Sequence, residues 1–204
     1  MNICIIGSGN VGGALAKSLS KAGHRVIIGT RRVDSDKIKA LLTLRNVLAQ
    51  PIAEAVANSQ VVILATPPAA VIEIAGVMGD VRDKVIIDAT NAVFNKPEPY
   101  ANGIEAVSAL TNATHVVKCF NTTGFENMAD PVYNGQGIDM FVAGDSAEGK
   151  RIASQLARDI GFAECYDFGG ADRVALLEQF ALAWINLAIM QKQDRNIAFK
   201  VIKR

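Results

Sequence analysis

The sequence predicts an α/β fold, a doubly wound parallel sheet with extra strands and helices toward its C-terminal end. Short apolar runs rich in Val and Ile alternate with amphipathic stretches over the first two thirds of the chain, which is typical of successive β-α-β units. These runs are continuous rather than alternating with polar residues, as expected of strands buried on both faces. A glycine-rich turn also follows the first run directly.

Six strands and the helices between them are expected in this first part. The strand candidates are residues 3–7, 25–30, 46–49, 61–66, 84–90 and 115–120. The helix candidates are residues 10–22, 35–44, 51–58, 68–78 and 101–112. Right-handed crossovers join such units, so helices should cover both faces of one parallel sheet.

The C-terminal third should add two strands, at 139–145 and 163–168. Asp145 stands three residues before Glu148, a spacing that predicts a capping box at the start of the helix between these strands. A short tail after residue 193 is expected to add one or two turns.

Two units are expected in the chain. The glycine pair at 169–170 precedes a long apolar helix, and glycine pairs of this kind commonly break regular structure. We therefore expect residues 1–168 to form one domain and residues 169–204 to form a helical segment packed on it.

Composition argues against several classes of protein. The formal net charge of +1 gives no overall field that would attract nucleic acid or an anionic membrane. Cys4, Cys119 and Cys165 have neither disulfide nor metal-ligand spacing, so we expect no metal, and reduced thiols in a cytoplasmic protein. No leader peptide is expected, because the first apolar run begins at residue 2 without a basic segment before it.

The apolar stretch 174–190 has 17 residues interrupted by polar ones. Crossing a bilayer takes about 20 predominantly apolar residues, so we expect no membrane span. Phe180, Trp184 and Leu187 recur at near-helical spacing, which favours the interface of a homodimer. Packing within the chain, over the edge of the sheet, is an equal alternative.

The first strand runs into Gly7-Ser8-Gly9-Asn10-Val11-Gly12, and a helical pattern follows. In this G-x-G-x-x-G pattern the first glycine permits a tight turn, the second lets the backbone approach a pyrophosphate, and the third allows close packing. The helix that begins here would direct its free N–H groups at the phosphates. The position and the context predict an NAD(P)-binding Rossmann fold.

The end of the second strand, Gly29-Thr30-Arg31-Arg32, indicates which dinucleotide is bound. An NAD-binding chain usually places a carboxylate here, where it binds the adenine ribose. No carboxylate occurs before Asp34, and arginine forks bind phosphate bidentately at any working pH. The sequence therefore predicts NADP as the cofactor.

Other strand ends should face the nicotinamide, because ligands of open α/β sheets lie beyond the carboxyl ends of the strands. The fourth strand ends in Ala65-Thr66-Pro67, although turn chemistry explains these residues equally well. Asn91 and Asn121 follow the fifth and sixth strands. They are candidates for hydrogen bonds to the nicotinamide carboxamide or the substrate, with local loop bonding as the alternative.

No catalytic acid or base stands out in the sequence. His24 and His115 lie at strand starts, at the wrong edge of the sheet, and no Lys–Glu constellation is evident. Reduction of a carbonyl usually needs a proton donor. Hydride transfer between a nicotinamide and a flavin-like ring mainly needs the protein to align the two rings. The sequence thus favours an oxidoreductase with a flavin-like acceptor and no catalytic side chain.

Several longer motifs carry a more specific resemblance. They are "IIGSGNVGGALA", "AGHRVIIGTRR", "ILATPP", "VVKCFN", "FVAGD" and "DRVALLEQFALAWINLAI". With these motifs the chain resembles the coenzyme F420-dependent NADP oxidoreductases, whose acceptor is a deazaflavin, over nearly its whole length. It is also similar to the cytosolic NADPH-binding domain of the STEAP metalloreductases, most clearly in "VVKCFN" and the final third.

The resemblance implies roles for individual residues. Ser8, Gly9, Asn10 and Val11 would contact the phosphates, and Gly7 would form the turn. Thr30, Arg31 and Arg32 match the site of the 2′-phosphate. Ala65, Thr66 and Pro67 match strand-end residues on the nicotinamide side. The family also implies an NADPH-binding Rossmann domain with C-terminal helices packed nearby, often in a homodimer.

The chain departs from the archaeal deazaflavin enzymes after the sixth strand. Those enzymes have a His-containing segment where this chain has Asn121-Thr122-Thr123-Gly124. The acceptor therefore stays open among a deazaflavin, FMN, FAD and a quinone-like molecule. A carbonyl or imine reductase and a non-catalytic NADP(H)-sensing module are the alternative functions.

Overall fold

The Val- and Ile-rich runs form one eight-stranded sheet in the computed structural model, which describes residues 1–204. In chain order the strands are β1 (Asn2–Ile6), β2 (Arg25–Thr30), β3 (Val47–Pro51), β4 (Val61–Leu64), β5 (Val85–Asp88), β6 (His115–Cys119), β7 (Val132–Tyr133), β8 (Gln136–Gly137), β9 (Asp139–Ala143) and β10 (Glu164–Asp167). The helices are α1 (Asn10–Lys21), α2 (Asp36–Leu41), α3 (Ile52–Ala57), α4 (Val71–Val77), α5 (Gly103–Leu110), α6 (Phe125–Ala129), α7 (Ala147–Asp159) and α8 (Val174–Ile185).

The strand order is β10-β9-β6-β5-β4-β1-β2-β3. The six strands β1 to β6 are parallel, in the 3-2-1-4-5-6 order of a Rossmann fold. The prediction of a doubly wound α/β fold with extra C-terminal strands is therefore confirmed. The sheet is not wholly parallel, because β9 pairs antiparallel with β6 while β10 runs parallel to β9. The chain between β6 and β9 holds only α6 and the β7–β8 hairpin, neither of which was foreseen, and makes no full crossover.

The sheet is covered on both faces. Successive residues of β1 alternate between two apolar clusters, with Ile3 and Ile5 in one and Cys4 and Ile6 in the other, as the two-residue period of a strand requires. Helices α1 and α7 complete the first cluster, and α3, α4, α5 and α8 complete the second. This double coverage explains why the strands read as continuous apolar runs.

A crevice opens where the winding of the sheet reverses direction. Strands β1 and β4 are neighbours, and the helices that follow them, α1 and α4, belong to opposite faces. The two connections diverge at the carboxyl ends of these strands, which is where ligands of this fold bind.

The expected capping box at α7 is wrong. The N-cap is Ser146, whose Oγ accepts a hydrogen bond from the Gly149 N–H at 2.9 Å. Asp145 forms a different hydrogen bond, in which its Oδ1 accepts from the Ala171 N–H at 2.8 Å. This bond joins the end of β9 to the start of the last helix, a long-range contact that the local spacing does not reveal.

The last helix is longer than its apolar stretch suggests. A helical run of 20 residues spans Ala171–Met190, with a 3-10 turn before α8 and a π-helical turn over Asn186–Met190. The argument from a length of 17 residues is therefore wrong, since by length and composition this run is sufficient to cross a membrane. That is weak evidence, because core helices of soluble proteins meet the same criterion. The expected helical turns in the tail are also absent.

Two of the three residues expected at a dimer interface, both aromatic, pack within the chain instead. Trp184 is buried, and its Nε1 donates to the Ile197 carbonyl at 2.7 Å. Phe180 packs against the rings of Phe141, Phe168 and Phe199. A different stripe of the helix is exposed at helical spacing, formed by Leu176, Ala183, Leu187 and Met190.

Candidate functional site

The glycine loop between β1 and α1 has the shape that its sequence predicts. Gly7 has a φ of +116°, and a Cβ there would lie 2.4 Å from the Ala65 carbonyl oxygen. A Cβ on Gly12 would lie 2.0 Å from the Gly7 carbonyl oxygen. Each position excludes a side chain, so the loop turns tightly and lies directly against the end of β4.

Gly9 is glycine for a different reason. Nothing lies within 4 Å of the position that its Cβ would take, and its φ of −75° is accessible to any residue. It precedes α1 as the N-cap, where no side chain caps the helix and no acidic residue occurs in the first turn. The N–H groups at the start of α1 are therefore not capped by a side chain, and Gly9 adds none beside them, which suits a phosphate.

A cavity of about 630 Å³ lies beside this loop, over the carboxyl ends of β2 and β3. It brings together some of the residues singled out from the sequence, namely Gly7, Ser8, Thr30, Arg31, Thr66 and Pro67. The side of the cavity along β2, β3 and α3 also contains Gly29, Val33, Pro51, Ile52 and Ala53. The side along α4 contains Ala70, Glu73, Ile74 and Val77. The volume falls in the range of small-molecule sites.

The remaining predicted residues lie around the cavity or beyond it. Asn10 and Val11 continue the loop into α1, and Ala65 supplies the carbonyl against Gly7. Arg32 is exposed, and its N–H donates to Thr30 Oγ1 at 3.2 Å. Asn91 and Asn121 do not line the cavity.

A carboxylate that the sequence did not indicate enters the cavity from α4. Glu73 accepts from Arg31 Nη1 at 3.2 Å through Oε1 and at 3.3 Å through Oε2. The strand end itself carries no carboxylate at positions 29–31, as noted from the sequence. Because 42 residues separate the partners, nothing local in the sequence signals this pair.

Three polar atoms without hydrogen-bond partners mark a second part of the site. They are Thr66 Oγ1, Thr90 Oγ1 and Asn121 Oδ1, all buried. They follow β4, β5 and β6, three adjacent strands of the sheet. Buried polar atoms are nearly always hydrogen-bonded, so three of them at one edge of the sheet make this edge a candidate for ligand binding. Sequence reasoning missed Thr90, although it is the last residue of the strand candidate 84–90.

Asn91 and Asn121 come together and bond to each other. Asn121 Nδ2 donates to Asn91 Oδ1 at 2.9 Å, and Asn91 Nδ2 donates to the Asn121 carbonyl at 2.9 Å. Asn121 Nδ2 also reaches the Leu177 carbonyl of α8 at 3.4 Å. The side chain of Asn91 is thus engaged by its neighbour, whereas Asn121 keeps a free acceptor oxygen.

A buried group of three charges lies beneath these strand ends. Lys118 Nζ donates to Asp88 Oδ2 at 2.8 Å and to Glu178 Oε1 at 2.5 Å, and all three side chains are buried. The Thr90 N–H donates to Asp88 Oδ1 at 2.9 Å, and the Ala92 N–H to Glu178 Oε1 at 3.1 Å. The group therefore fixes the loop after β5 against α8.

This group corrects the expectation that no Lys–Glu constellation exists. A lysine within a buried strand is itself a signal, because lysine is almost never fully buried without a partner. Its partner on α8 lies 60 residues away, so the sequence alone does not supply the group. Lys118 is fully buried, which suits a role in holding the edge of the site.

The two histidines lie far from this edge, as expected. His24 precedes β2, and its Nε2 lies 3.0 Å from Asp159 Oδ2. His115 begins β6, and its Nδ1 lies 2.9 Å from Ser146 Oγ. No group of three or more His, Cys, Asp or Glu side chains is arranged to hold a metal ion.

The chain is similar to known proteins along nearly its whole length. Residues 2–92 match the family model of the coenzyme F420-dependent NADP oxidoreductases. The chain is 28% identical to the F420-dependent NADP reductase of Methanothermobacter thermautotrophicus, over 98% of this chain and 94% of that one.

Solved structures show the same fold. A protein from Arthrobacter sp. FB24, provisionally named an F420-dependent NADP reductase, superposes with a TM-score of 0.84 at 24% identity, and each chain is fully covered. A reductive aminase from Aspergillus terreus in complex with NADPH superposes with a TM-score of 0.68 at 20% identity, over 94% of this chain but 63% of that one.

The cavity, the glycine loop and these similarities agree on an NADP-dependent oxidoreductase. The expected resemblance is confirmed: residues 2–92 match the family model of the coenzyme F420-dependent NADP oxidoreductases, and similarity to one reductase of that name extends along nearly the whole chain.

Proposed function

We propose that this protein transfers hydride between NADP(H) and a planar acceptor of the flavin or deazaflavin type. The observation that carries the proposal is the character of the edge formed by β4, β5 and β6. Its unpartnered polar atoms belong to Thr66, Thr90 and Asn121, while the ionisable groups beneath them are buried and paired with one another. Such an edge can orient a ring but offers no free acid to protonate a carbonyl product.

The proposed position of NADP follows the crevice. Ser8, Gly9, Asn10 and Val11 would bind the pyrophosphate, with Gly7 forming the turn. Thr30, Arg31 and Arg32 would bind the 2′-phosphate, since arginine forks match phosphate geometry. The reduced nicotinamide supplies the hydride.

The nicotinamide would lie at the second part of the site. Ala65, Thr66 and Pro67 would bound it on the side of β4. Asn121 Oδ1 would accept from the carboxamide, and Thr90 would complete its hydrogen bonds. Asn91 would hold Asn121 in place rather than bind the ligand itself, because its side chain is already engaged.

The two-unit organisation remains part of the proposal. Residues 1–168 would bind NADP, and residues 169–204 would close the acceptor side through α8. This assignment draws support from the Leu177 carbonyl and from Glu178, which join α8 to the loops after β6 and β5. The exposed stripe of Leu176, Ala183, Leu187 and Met190 would pack on a second copy of the chain, forming a homodimer.

Two measurements test this function. Isothermal titration with NADP⁺ and NAD⁺ should show tighter binding of NADP⁺, and equal affinities would contradict the cofactor assignment. NADPH oxidation should then proceed with a deazaflavin or with FMN or FAD, and not with small carbonyls or cyclic imines.

The second candidate function is imine reduction. It rests on the fold shared with the reductive aminase, whose chain is considerably longer than this one. Turnover with imines alone would favour it. Tight NADP⁺ binding without turnover of any acceptor would instead favour an NADP(H)-sensing module.

A further inference from the structure

Glu73 extends from α4 into the cavity and binds the arginine that the 2′-phosphate would need. Both carboxylate oxygens lie within 3.3 Å of Arg31 Nη1. Both residues line the cavity of about 630 Å³, Arg31 from the end of β2 and Glu73 from the opposite helix. The ion pair therefore spans the cavity in which the adenosine end of NADP would lie.

The chemistry of this pair is competitive. A guanidinium that is engaged by a carboxylate has fewer donors available for a phosphate, and the carboxylate repels a 2′-phosphate placed beside it. NAD has a hydroxyl in place of that phosphate, so it experiences neither effect. We propose that Glu73 is a specificity-determining residue that competes with the 2′-phosphate for Arg31 and so moderates the preference for NADP over NAD.

The pair differs from the other exposed Arg–Glu pair formed by a helix of this chain. Arg151 and Glu148 stand three residues apart on α7 and stabilise their own helix. Arg31 and Glu73 instead join β2 to α4 across the cavity. Their side chains are 76% and 62% exposed, so the pair is weak and an incoming phosphate can displace it.

The test compares Glu73→Gln with the wild-type chain by isothermal titration. The inference rests on the proposed function in one respect, that the adenosine end of NADP occupies this cavity. Glu73→Gln should bind NADP⁺ about three- to tenfold more tightly, with affinity for NAD⁺ unchanged. Because exposed charges are screened, the gain should shrink as the salt concentration rises. Glu148→Gln is the matched control and should leave both affinities unchanged.

A double-mutant cycle assigns the gain to Arg31. In an Arg31→Gln background, Glu73→Gln should give a smaller gain for NADP⁺ than in the wild-type background. An equal gain in NADP⁺ affinity in both backgrounds would overturn the proposed competition for Arg31. Weaker NADP⁺ binding by Glu73→Gln would also overturn it, and so would an equal gain in NAD⁺ affinity. Equal affinities of the wild-type chain for the two cofactors would contradict the proposed function instead, whereas a gain by Glu73→Gln confined to NADP⁺ would still support the inference.

Discussion

At the scale of single residues, three glycines at the start of α1 have different surroundings. A Cβ on Gly12 would lie 2.0 Å from a backbone oxygen, and one on Gly13 would lie 3.8 Å from a leucine methyl group. A Cβ on Gly9 would meet nothing within 4 Å. The G-x-G-x-x-G pattern fixes where the glycines lie, but only the geometry distinguishes packing from space kept for a ligand.

Alanine substitutions should separate these roles. Gly12→Ala should lower the free energy of unfolding by about 3 kcal/mol or more, because the new methyl group overlaps backbone that cannot move aside. Gly13→Ala is the matched control and should be neutral or slightly stabilising, since alanine favours a helix. Gly9→Ala should leave the stability unchanged and weaken NADP⁺ binding about tenfold or more. Denaturant unfolding and titration measure the two effects, and unchanged NADP⁺ affinity in Gly9→Ala would argue against phosphate binding at this loop.

The cysteines should differ in reactivity. Burial raises the pKa of the Cys4 thiol to about 12 and raises the pKa of Cys119 well above its usual range. Cys165 is less buried, and a hydrogen bond from Cys119 lowers its pKa. Iodoacetamide at neutral pH should therefore modify Cys165 alone in the folded protein, because the thiolate is the reactive form. Mass spectrometry reports the site, denatured protein provides the control with all three labelled, and early labelling of Cys4 would contradict this order.

At the scale of elements, α8 is joined to the sheet by charge as well as by apolar packing. Val174 and Leu177 belong to the cluster on that face of the sheet, and Glu178 meets Lys118 of β6 in the buried group. The same helix provides the Leu177 carbonyl to Asn121. The position of α8 and the geometry of the edge formed by β4, β5 and β6 are thus coupled.

Removing different charges from the buried group should change the free energy of unfolding by unequal amounts. Lys118→Met leaves Asp88 and Glu178 buried without a cation, so we expect a loss of about 3–5 kcal/mol in the free energy of unfolding. Glu178→Gln keeps an oxygen that accepts from Lys118 and the Ala92 N–H, and removes one of two negative charges, so we expect a change within about 1 kcal/mol. Denaturant unfolding of both variants checks this order. A smaller loss in Lys118→Met than in Glu178→Gln would show that the lysine is not needed to neutralise the carboxylates.

At the scale of the whole molecule, one apolar surface has no partner within the chain. Leu176, Leu187 and Met190 are exposed on the stripe of the last helix, whereas the aromatic residues of the same helix pack inward. The same helix contacts the loops after β5 and β6 through Glu178 and the Leu177 carbonyl, so dimer formation would also fix one wall of the proposed site.

The dimer is tested by changing this stripe. The wild-type protein should sediment as a dimer at micromolar concentration, and Leu187→Glu should shift it to monomer by placing a charge in the apolar contact. Ile202→Glu is the control, because Ile202 is 88% exposed and lies in the tail outside the stripe. A wild-type chain that sediments only as monomer would exclude the proposed homodimer.

The sequence by itself determined the order of most elements, the glycine loop after β1 and the types of residue at the end of β2. These features depend on neighbours within a few residues, through the two-residue period of strands, the conformational freedom of glycine and the absence of a carboxylate before Asp34. Their positions can therefore be inferred without knowing how the sheet assembles.

Only the tertiary structure decided which distant residues meet. Glu73 reaches Arg31, and Glu178 reaches Lys118, because the winding of the sheet brings α4 and α8 over strands that lie far away in the chain. The direction of β9, the cap at Ser146 and the inward packing of Trp184 were settled in the same way. Such contacts depend on strand register and helix packing, which no local sequence pattern encodes. They decide which polar atoms remain free for a ligand.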